Sequence, residues 1–500
     1  MTIRLVRVAV LFGAFLLMET SLLAQSGSTM FDGVWLGTLN VGAQTLRLQL
    51  HLQTGVTGSC TLDSLDQNGF RIVCDHVEVK GEKLSFEVPT VGGSWSGRIS
   101  ADGKTLTGTW MQGGGSWRLV MQHQATAIGP SETAALVFDP AMAAVAVTDL
   151  KPVLDHDLVA ALKDGMLAPQ NHGGVTIGVV QRGVKRIFNY GAASPDDVFE
   201  IGSITKTFTG LILAQMVEQG KVRLDEPVRE LLPPGTVAKP TSGAEITLLE
   251  LSDQHSGLPR LPENLKPADP RNPYADYDES LLYAYIAQHG VGVAPGVAFG
   301  YSNLGVGLLG QALAVRSGES YAELLHAQIT GPLQMRSTGI ALSAEMRAHL
   351  AQGHDVKGQP VGTWDLTALA GAGAVRSTAA DMLTYLEAQL HPDHLPVGGV
   401  GVESKTLGAA IKASHFIHAE ISPGIKIGLN WFRDDATGNY FHDGATGGYS
   451  SYSVFNPEKD FALVVLCNTT QGADAFANRL GGHITQRMAG VPAISLAPLP

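Results

Sequence analysis

The stretch Phe199-Glu200-Ile201-Gly202-Ser203-Ile204-Thr205-Lys206 begins a run of apolar residues with helical spacing. The apolar members of that run are Ile204, Phe208, Leu211, Ile212 and Met216. Ser203 and Lys206 lie three residues apart, so a helix places their side chains one turn apart on one face. A serine hydroxyl is a weak nucleophile until a base takes its proton, and a lysine becomes such a base when burial lowers its pKa. The stretch therefore predicts a central core helix that carries a nucleophile and its base.

The composition describes a large globular protein. The chain has 500 residues, of which 44% are hydrophobic and 16% charged, so two or three domains with ample cores are expected. Its formal net charge is −12, which argues against nucleic acid or an anionic membrane surface as a partner. A small molecule or a peptide, including material derived from the cell wall, is the expected partner.

The N-terminus has the pattern of a secretory signal peptide over residues 1–24. Arg4 and Arg7 precede an apolar run from Val8 to Met18, and Leu22-Leu23-Ala24 provides a cleavage site. The run is shorter than the roughly 20 residues that cross a bilayer. No cysteine follows the cleavage site, so no lipid anchor is expected. These features predict a periplasmic or secreted protein without a stable membrane anchor.

Residues 30–123 alternate apolar and polar side chains, as strands do. Leu46, Leu48, Leu50 and Leu52 alternate with polar residues, and similar short runs follow. The pattern predicts a small all-β barrel or sandwich of seven or eight strands. Four of the six tryptophans of the chain fall in this region, where core packing is favoured over a binding face for glycan or lipid.

Two cysteines of this region have two alternative states. In an oxidising compartment Cys60 and Cys74 form a disulfide that closes a short loop. The alternative is a pair of buried thiols that face each other in the barrel. The sequence leaves this choice open.

Residues 124–148 have the composition of a linker, and residues 149–490 form a second domain. A helix near 149–164 opens this domain and a hairpin over 175–190 follows, strands over 439–468 and a helix over 473–488 end it, and helices and loops lie between. Strands from both ends of a domain, with helices between them, predict an α+β fold. We expect an antiparallel sheet flanked by helices, with a helical lobe and a crevice at Ser203.

Two further segments carry side chains suited to acyl transfer. In Tyr301-Ser302-Asn303 the tyrosine shuttles a proton between Ser203 and the leaving group, provided that charged Lys206 lowers its pKa. The amide of Asn303 orients the substrate. In His442-Asp443-Gly444-Ala445 the glycine lets a substrate backbone lie beside a strand. The N–H groups of Ser203 and Ala445 then form an oxyanion hole.

The order and spacing of these three motifs resemble those of the class C β-lactamase superfamily. That superfamily includes DD-peptidases, D-aminopeptidases and β-lactamase-like esterases, and the resemblance covers about residues 150–490. It implies that Ser203 is the acylated nucleophile, that Lys206 and Tyr301 relay protons, and that Asn303 orients the substrate. It implies neither a cofactor nor a metal. The histidine pairs His391/His394 and His415/His418 have ligand-like spacing, but no third ligand is in register with either.

One position departs from the resemblance. Class C β-lactamases carry Lys-Thr-Gly on the strand where this chain has His442-Asp443-Gly444. A histidine is mostly neutral at pH 7, so a permanent cation for the β-lactam carboxylate is missing. Asp443 would repel anionic substrates if it pointed into the crevice. His-x-Gly at this position is similar to peptidase and esterase members of the superfamily.

The sequence therefore predicts an exported serine hydrolase that cleaves an ester, an amide or a D-amino-acid peptide bond through an acyl-serine intermediate. A true β-lactamase is the first alternative, and a penicillin- or cell-wall-binding protein with little turnover is the second. If His442 must be neutral, kcat/KM falls on acidification through about pH 6.5. The scissile bond, the oligomeric state, the role of the barrel, and whether Lys206 or Tyr301 is the base stay open.

Overall fold

The structure is a computed structural model, and the predicted signal peptide lies outside the residues that it describes. The described residues are 29–41, 44–54, 59–64, 69–88, 93–112, 115–124, 138–240, 243–293, 297, 299–395, 402–422, 424–470 and 475–497. Among them no helix is both long enough and apolar enough to cross a membrane.

The first part of the described chain is one antiparallel sheet of nine strands rather than the seven or eight predicted. Its strands are β1 Gly33–Val41, β2 Gln44–Gln53, β3 Ser59–Ser64, β4 Gly69–Val73, β5 Asp75–Lys80, β6 Lys83–Val88, β7 Gly93–Ile99, β8 Thr105–Gln112 and β9 Gly115–Gln124. They hydrogen-bond in the order β4-β3-β2-β1-β9-β8-β7-β6-β5. Cys74 alone joins the two edge strands β4 and β5, so the sheet curls into a nearly closed barrel.

The interior of this barrel has its own core. Trp35, Trp95 and Trp110 are buried there together with the inward leucines of β2, which confirms that these tryptophans pack the core. Cys60 on β3 forms a disulfide with Cys74, and the amide of Cys74 also donates to the carbonyl of Cys60 at 3.0 Å. The covalent bond therefore lies at the junction between the two edge strands.

The strands of the remaining chain include one large sheet and several two-residue pairs. They are β10 Phe138–Asp139, β11 Gly174–Gln181, β12 Val184–Gly191, β13 Phe199–Glu200, β14 Ala244–Glu245, β15 Gly292–Val293, β16 Gly353–His354, β17 Pro360–Val361, β18 Arg376–Ser377, β19 Ala419–Ser422, β20 Ile425–Ile427, β21 Phe432–Asp434, β22 Asn439–Ala445, β23 Ser450–Asn456, β24 Phe461–Cys467 and β25 Ala493–Ile494. Eight of these described strands form an antiparallel sheet in the order β12-β11-β24-β23-β22-β21-β20-β19.

The α-helices of the described chain all follow the barrel. They are α1 Leu150–Asp157, α2 Val159–Lys163, α3 Thr205–Glu218, α4 Leu248–Ser252, α5 Glu279–His289, α6 Asn303–Ser317, α7 Tyr321–Leu325, α8 Ala344–Ala348, α9 Ala370–Gly373, α10 Ala379–Leu390, α11 Val402–Ser414 and α12 Phe476–Ala489. The predicted terminal helix over 473–488 corresponds to α12. This mixture of an antiparallel sheet and helices confirms the predicted α+β class.

The eight-stranded sheet separates two layers of helices. On one face, α1 and α12 pack against Val175, Ile177 and Val465. On the other face, α3, α6 and α10 form the larger core with Val464 and Leu466. Helix α3 lies inside this second core, and nearly all of its residues are buried. The stretch from Phe199 to Lys206 therefore lies between the sheet and the helical lobe.

The end of the predicted linker joins the second part of the structure. Strand β10 pairs with β25, and the amide of Val145 donates to the carbonyl of Arg487 on α12 at 3.2 Å. The guanidinium of Arg487 binds both Asp139 and Asp157. Residues 138–148 are thus attached to the α1/α12 face of the sheet.

Candidate active site

A tight turn before α3 presents Ser203. Residues 202–204 form one 3-10 turn, and Gly202 has φ +49°, a conformation that favours glycine. Ser203 is half-buried at the positive end of the helix, whereas Lys206 is completely buried. The Nζ atom of Lys206 lies 2.9 Å from Oγ of Ser203 and donates to the carbonyl of Ala372 at 2.6 Å. The predicted pair is therefore within hydrogen-bond distance.

The surroundings of Lys206 favour its neutral form. Burial holds the pKa of its amine well below the usual value, and the positive charge of Arg260 lowers that pKa further. The carboxylate of Asp443 acts in the opposite direction but more weakly. A neutral amine that donates one hydrogen to Ala372 keeps its lone pair for the proton of Ser203.

Tyr301 lies over the same pair of residues. Its ring centroid is 4.9 Å from Nζ of Lys206, and the side chain of Ser203 lies close enough to its hydroxyl to lower the pKa of Tyr301. Burial raises the pKa of Tyr301, and the opposing effects of Arg260 and Ser203 are smaller. The predicted lowering by charged Lys206 is thus wrong, because burial also keeps that lysine neutral. Tyr301 keeps its proton and is suited to donate it.

Asn303 begins helix α6, two residues after Tyr301. Its Oδ1 atom is buried and has no hydrogen-bond partner among the described residues. A buried carbonyl oxygen without a partner costs about 1–3 kcal/mol, so it is a ready acceptor for a substrate N–H. Its backbone N–H donates to the carbonyl of Arg260 at 3.0 Å, which fixes the start of the helix.

The turn before α3 and strand β22 are in close contact. A Cβ atom on Gly444 would lie 2.1 Å from the carbonyl oxygen of Ile201 and 2.9 Å from the nitrogen of Ser203. A Cβ atom on Gly202 would lie 2.6 Å from the nitrogen of Ala445. Both glycines therefore permit a close approach that brings the amides of Ser203 and Ala445 together. This is the arrangement expected of the predicted oxyanion hole.

The last residues of strand β22 are hydrogen-bonded to a neighbouring strand on one side only. β23 pairs with β22 as far as Ala445, whereas β21 pairs only with its first residues, Asn439–Phe441. Within the described chain, residues 442–445 thus have a sheet edge that faces the Ser203 turn. A substrate backbone can form main-chain hydrogen bonds along such an edge.

His442 is buried on β22 among aromatic rings. Its ring centroid lies 6.5 Å from that of Tyr301 and 5.2 Å from that of Phe432. Burial lowers the pKa of His442 to about 4, although the charge of Asp443 opposes the shift. The residue is therefore neutral at pH 7, as predicted. The predicted fall of activity near pH 6.5 is wrong as a property of His442, because its protonation moves to about pH 4.

Asp443 does not join this group. Its carboxylate accepts from Nδ2 of Asn478 at 3.1 Å, and Asn478 belongs to α12 on the opposite face of the sheet. Neighbouring residues on a strand point to opposite faces, so Asp443 points away when His442 points into the crevice. The expectation that Asp443 touches substrate is not met, and its influence on Lys206 is electrostatic only.

Several supporting residues were not predicted from the motifs. Gln254 accepts from the amide of Ser302 at 2.7 Å and donates to Asn430 at 3.1 Å. This side chain therefore ties the Tyr301 loop to the sheet. Gln254 lies in a segment that also resembles the superfamily, Leu251-Ser252-Asp253-Gln254-His255-Ser256-Gly257-Leu258-Pro259. That resemblance is the feature of the sequence that could have pointed to Gln254.

A buried ion pair fixes the strand before Ser203. Arg376 on β18 donates to Glu200 on β13 at 3.1 Å, and both side chains are almost completely buried. The amide of Trp364 also donates to Glu200, at 2.9 Å. Glu200 lies in the opening stretch, but its partner is 176 residues away in the chain. No local pattern reveals such a pair.

One cluster outside the site has ligand-like geometry. Asp139, Asp157 and His483 each offer a ligand atom, and these atoms lie within 4.8 Å of one another. Arg487 donates to both carboxylates, at 3.2 and 2.8 Å, and His483 lies 2.8 Å from Asp157. Because Arg487 already bridges the two acids, the cluster is a salt-bridge network between α12 and the N-terminal part of this domain.

Comparison with protein families identifies the group to which these features belong. A family model described as Beta-lactamase matches residues 159–485. The chain belongs to the β-lactamase family and is a β-lactamase-related serine hydrolase, which confirms the resemblance of its motifs.

The curated relatives that match this chain include proteins named as β-lactamases and a protein named as a carboxypeptidase and endopeptidase. A protein named β-lactamase from Pseudomonas fluorescens is 28% identical over 294 residues, which are 57% of this chain and 74% of the relative. The protein named D-alanyl-D-alanine-carboxypeptidase/endopeptidase AmpH from Escherichia coli (strain K12) is 30% identical over 274 residues, 52% of this chain and 70% of the relative. A β-lactamase from the same Escherichia coli strain is 28% identical over 268 residues, 51% and 65% of the two chains.

Proposed function

We propose that the chain is an exported hydrolase that cleaves an ester, an amide or a D-amino-acid peptide bond through an acyl-enzyme on Ser203. The observation that carries this proposal is the 2.9 Å contact between Ser203 and a fully buried Lys206. Burial favours the neutral form of such a lysine, and that form can accept a proton. The proposed export rests on the signal-peptide pattern of residues 1–24.

The proposed reaction has two halves. Oγ of Ser203 attacks the substrate carbonyl carbon while its proton passes to Nζ of Lys206, and the amides of Ser203 and Ala445 stabilise the oxyanion. Tyr301 gives its proton to the leaving group and is reprotonated from Lys206. A water molecule then attacks the acyl-serine ester while Lys206 again accepts the proton, the bond to Oγ breaks, and Lys206 returns that proton to Oγ of Ser203 as the acid leaves.

The choice of Lys206 as the base follows from the two opposite pKa shifts. Burial favours the neutral form of both Lys206 and Tyr301, which makes the first a base and the second an acid. Asn303, with its free buried carbonyl oxygen, is assigned to orient the substrate N–H. Gly444 gives the substrate backbone access to the edge of β22.

β-Lactam hydrolysis is the second candidate function. Two of the relatives described above are named β-lactamases, which favours it. The neutral, buried His442 argues against it, because it offers no charge to a β-lactam carboxylate from strand β22. An acylated protein with little turnover, acting as a penicillin- or cell-wall-binding protein, is the third outcome that an experiment should separate.

The experiment compares kcat/KM for a chromogenic cephalosporin and for a short-chain aryl ester, with Ser203→Ala as the blank for both. Turnover of the ester with little turnover of the cephalosporin supports the proposal. A cephalosporin value near 10⁴ M⁻¹s⁻¹ or above, ordinary for an enzyme, would make the protein a β-lactamase. Intact mass distinguishes an enzyme, which returns to its free mass, from a binder that stays acylated for hours. Activity that survives Ser203→Ala refutes the proposal.

A further inference from the structure

The two amides of the proposed oxyanion hole belong to separate segments of the chain. Ser203 follows the two-residue strand β13, whereas Ala445 is the last residue of β22. The turn after it, Thr446-Gly447-Gly448-Tyr449, contains two adjacent glycines, which restrict the backbone least. An oxyanion hole needs both donors about 2.7–3.1 Å from one oxygen atom. Other contacts must therefore fix the separation of the two segments.

The backbone of this glycine turn is attached to neighbouring loops. The hydroxyl of Thr470 donates to the carbonyl of Thr446 at 2.5 Å. A Cβ atom on Gly447 would lie 2.6 Å from Nε1 of Trp364, so the tryptophan packs directly against the turn. These contacts use the carbonyl of Thr446 and a glycine, and they leave the hydroxyl of Thr446 available.

The carboxylate of Glu200 approaches the turn from the other segment. Its Oε1 atom accepts from Arg376 at 3.1 Å and from the amide of Trp364 at 2.9 Å. Within the described residues, the buried atoms Oε2 of Glu200 and Oγ1 of Thr446 form no hydrogen bond of normal geometry. Burial raises the pKa of Glu200, and Thr446 lies close enough for its hydroxyl to oppose that shift. A buried donor and a buried acceptor are thus neighbours, one directly after Ala445 and the other three residues before Ser203.

One hydrogen bond already connects the Ser203 turn to the sheet. The hydroxyl of Ser451 on β23 donates to the carbonyl of Ile201 at 2.8 Å, one strand away from Ala445. A buried polar atom without a partner is costly, and a hydroxyl that donates to a carboxylate forms one of the stronger hydrogen bonds in proteins. Hydrogen bonds of catalytic sites are often long in the free enzyme and tighten when substrate binds.

From this arrangement we infer that Glu200 and Thr446 hold the two halves of the oxyanion hole together. The hydroxyl of Thr446 donates to Oε2 of Glu200 as substrate binds, and this bond sets the distance between the two amides. Both are positioning residues, which act through the backbone and touch no reacting atom. The ion pair with Arg376 offsets the charge of Glu200, so that the carboxylate does not oppose the developing oxyanion. The inference rests on the proposed function, because it takes Ser203 as the acylated nucleophile.

Two esters that differ in one atom test the oxyanion hole separately from the rest of the site. Para-nitrophenyl acetate places the developing charge on oxygen, whereas its thiono analogue, O-(para-nitrophenyl) thioacetate, places it on sulfur. Sulfur is a weak hydrogen-bond acceptor, so the thiono ester depends little on the spacing of two N–H donors. Both esters release the same coloured phenolate, and kcat/KM is measured for each in the full-length protein.

The variants separate the hydroxyl from the fold. Thr446→Val removes the hydroxyl and keeps the shape of the side chain, whereas Thr446→Ser keeps the hydroxyl. Thr176→Val is the matched control, because Thr176 is buried on β11 and its hydroxyl donates to Asn189 at 2.9 Å. Glu200→Gln removes the carboxylate that receives the bond and is measured with and without Thr446→Val. If Glu200→Gln does not fold, the two Thr446 variants carry the test on their own.

We expect Thr446→Val to lower kcat/KM for the acetate by about ten- to a hundred-fold, a part of the effect of losing one oxyanion donor. The value for the thioacetate should fall by less than about three-fold, because sulfur accepts weakly. Thr446→Ser should keep most of both values, and Thr176→Val should change neither. In the Glu200→Gln background, Thr446→Val should cause little further loss, because both changes remove the same contact.

Three results would overturn the inference. Equal losses for the two esters in Thr446→Val would mean that the hydroxyl supports the fold or the proton relay. Unchanged values would mean that it has no role, and losses that multiply in the double variant would separate Thr446 from Glu200. Ser203→Ala is measured in parallel with both esters. If hydrolysis survives in Ser203→Ala, the proposed function fails, whereas Ser203-dependent hydrolysis whose preference for the acetate is the same in Thr446→Val refutes only the present inference.

Discussion

Lys206 has no exposed surface and lies within hydrogen-bond distance of the hydroxyl that it is proposed to activate. In the unfolded chain a lysine titrates near pH 10.4, whereas burial lowers the pKa of Lys206 well below that in the folded protein. The folded state thus binds this proton more weakly than the unfolded state, which opposes folding below about pH 10.4, by about 1.4 kcal/mol for each unit of lowering once the pH is below both pKa values. The fold gives up stability to keep this amine unprotonated.

The first prediction concerns the pH dependence of this loss. The unfolded state binds more protons than the folded state between the lowered pKa and about pH 10.4, so the parent gains stability as the pH rises through that range. Lys206→Met has no such titration. We expect the free energy of unfolding of the parent, relative to Lys206→Met, to rise steadily from pH 7 to pH 10 in urea titrations. Lys206→Met should also lower kcat/KM for the ester by about 10²–10⁴-fold, as loss of a general base does.

Lys221→Met provides the control for this series, because Lys221 is exposed. Its stability should follow the parent at every pH. A difference between parent and Lys206→Met that stays constant from pH 7 to pH 10 would contradict the lowered pKa of Lys206.

The second prediction concerns His442. Since burial lowers its pKa to about 4, the residue is neutral from pH 8 down to about pH 5 and becomes charged only below that. We therefore expect His442→Gln and the parent to have pH profiles of kcat/KM with the same shape between pH 5 and pH 8. An acid limb near pH 6.5 that is present in the parent and lost in His442→Gln would show that the imidazole titrates normally.

At the level of elements, the contact between the Ser203 turn and strand β22 depends on two glycines. The missing side chain of Gly444 allows the carbonyl of Ile201 and the amide of Ser203 to lie against the strand. The catalytic geometry is thus set by the distance between two backbone segments as well as by side chains.

The third prediction tests this contact with Gly444→Ala. The added methyl group would meet the Ile201 oxygen at 2.1 Å, so the turn must move away from β22. A displacement of about 1 Å lowers rates about 10²-fold, and we expect kcat/KM for the ester to fall by that order or more. Gly300→Ala is the matched control, because a Cβ atom at Gly300 meets nothing within 4 Å. Equal activity of the two variants would contradict the role of the close approach.

The features of this site that depend on residues close together in the chain can be predicted from the sequence. The spacing of Ser203 and Lys206 predicts their contact, and the apolar residues after them predict the burial that makes the lysine a base. Alternation within β22 also explains why Asp443 turns away, although the motif alone could not say which of its side chains faces the crevice. Patterns of three to ten residues are enough for these features.

The long-range part could not be predicted from such patterns. The charge of Arg260, the carbonyl of Ala372 and the ion pair of Arg376 with Glu200 come from segments that are distant in the chain. The pKa values of Tyr301 and His442 depend on how deeply each side chain is buried, and a sequence pattern indicates burial only as an average over many residues. The barrel has nine described strands, not seven or eight. Cys74 alone separates the two edge strands β4 and β5, and the sequence pattern does not distinguish two strands there.

On the scale of the whole molecule, the barrel and the second part have separate cores. The buried residues of the barrel form one cluster, and the two faces of the eight-stranded sheet form two others. Separate cores can unfold in separate transitions. The disulfide between Cys60 and Cys74 belongs to the barrel cluster.

The fourth prediction follows from this separation. Loss of the disulfide in Cys60→Ala/Cys74→Ala should lower the stability of the barrel by about 3 kcal/mol, the value for a loop of some 15 residues. Tryptophan fluorescence reports the barrel, which contains four of the six tryptophans, while ester hydrolysis reports the second part. We expect the fluorescence transition in urea to move to lower concentration and kcat/KM to stay unchanged. Cys467→Ala, which removes the free buried cysteine of the sheet, should leave the barrel transition in place.

Strand β11 begins at residue 174, and its hydrogen-bonded neighbour β24 begins at residue 461. This pair of neighbouring strands therefore cannot form until almost the entire polypeptide has left the ribosome. Pairing across so many residues is slow, because loop closure must precede the contacts that stabilise it. The second part of the nascent chain therefore cannot complete its fold during synthesis, which would suit the proposed export through a narrow translocation channel.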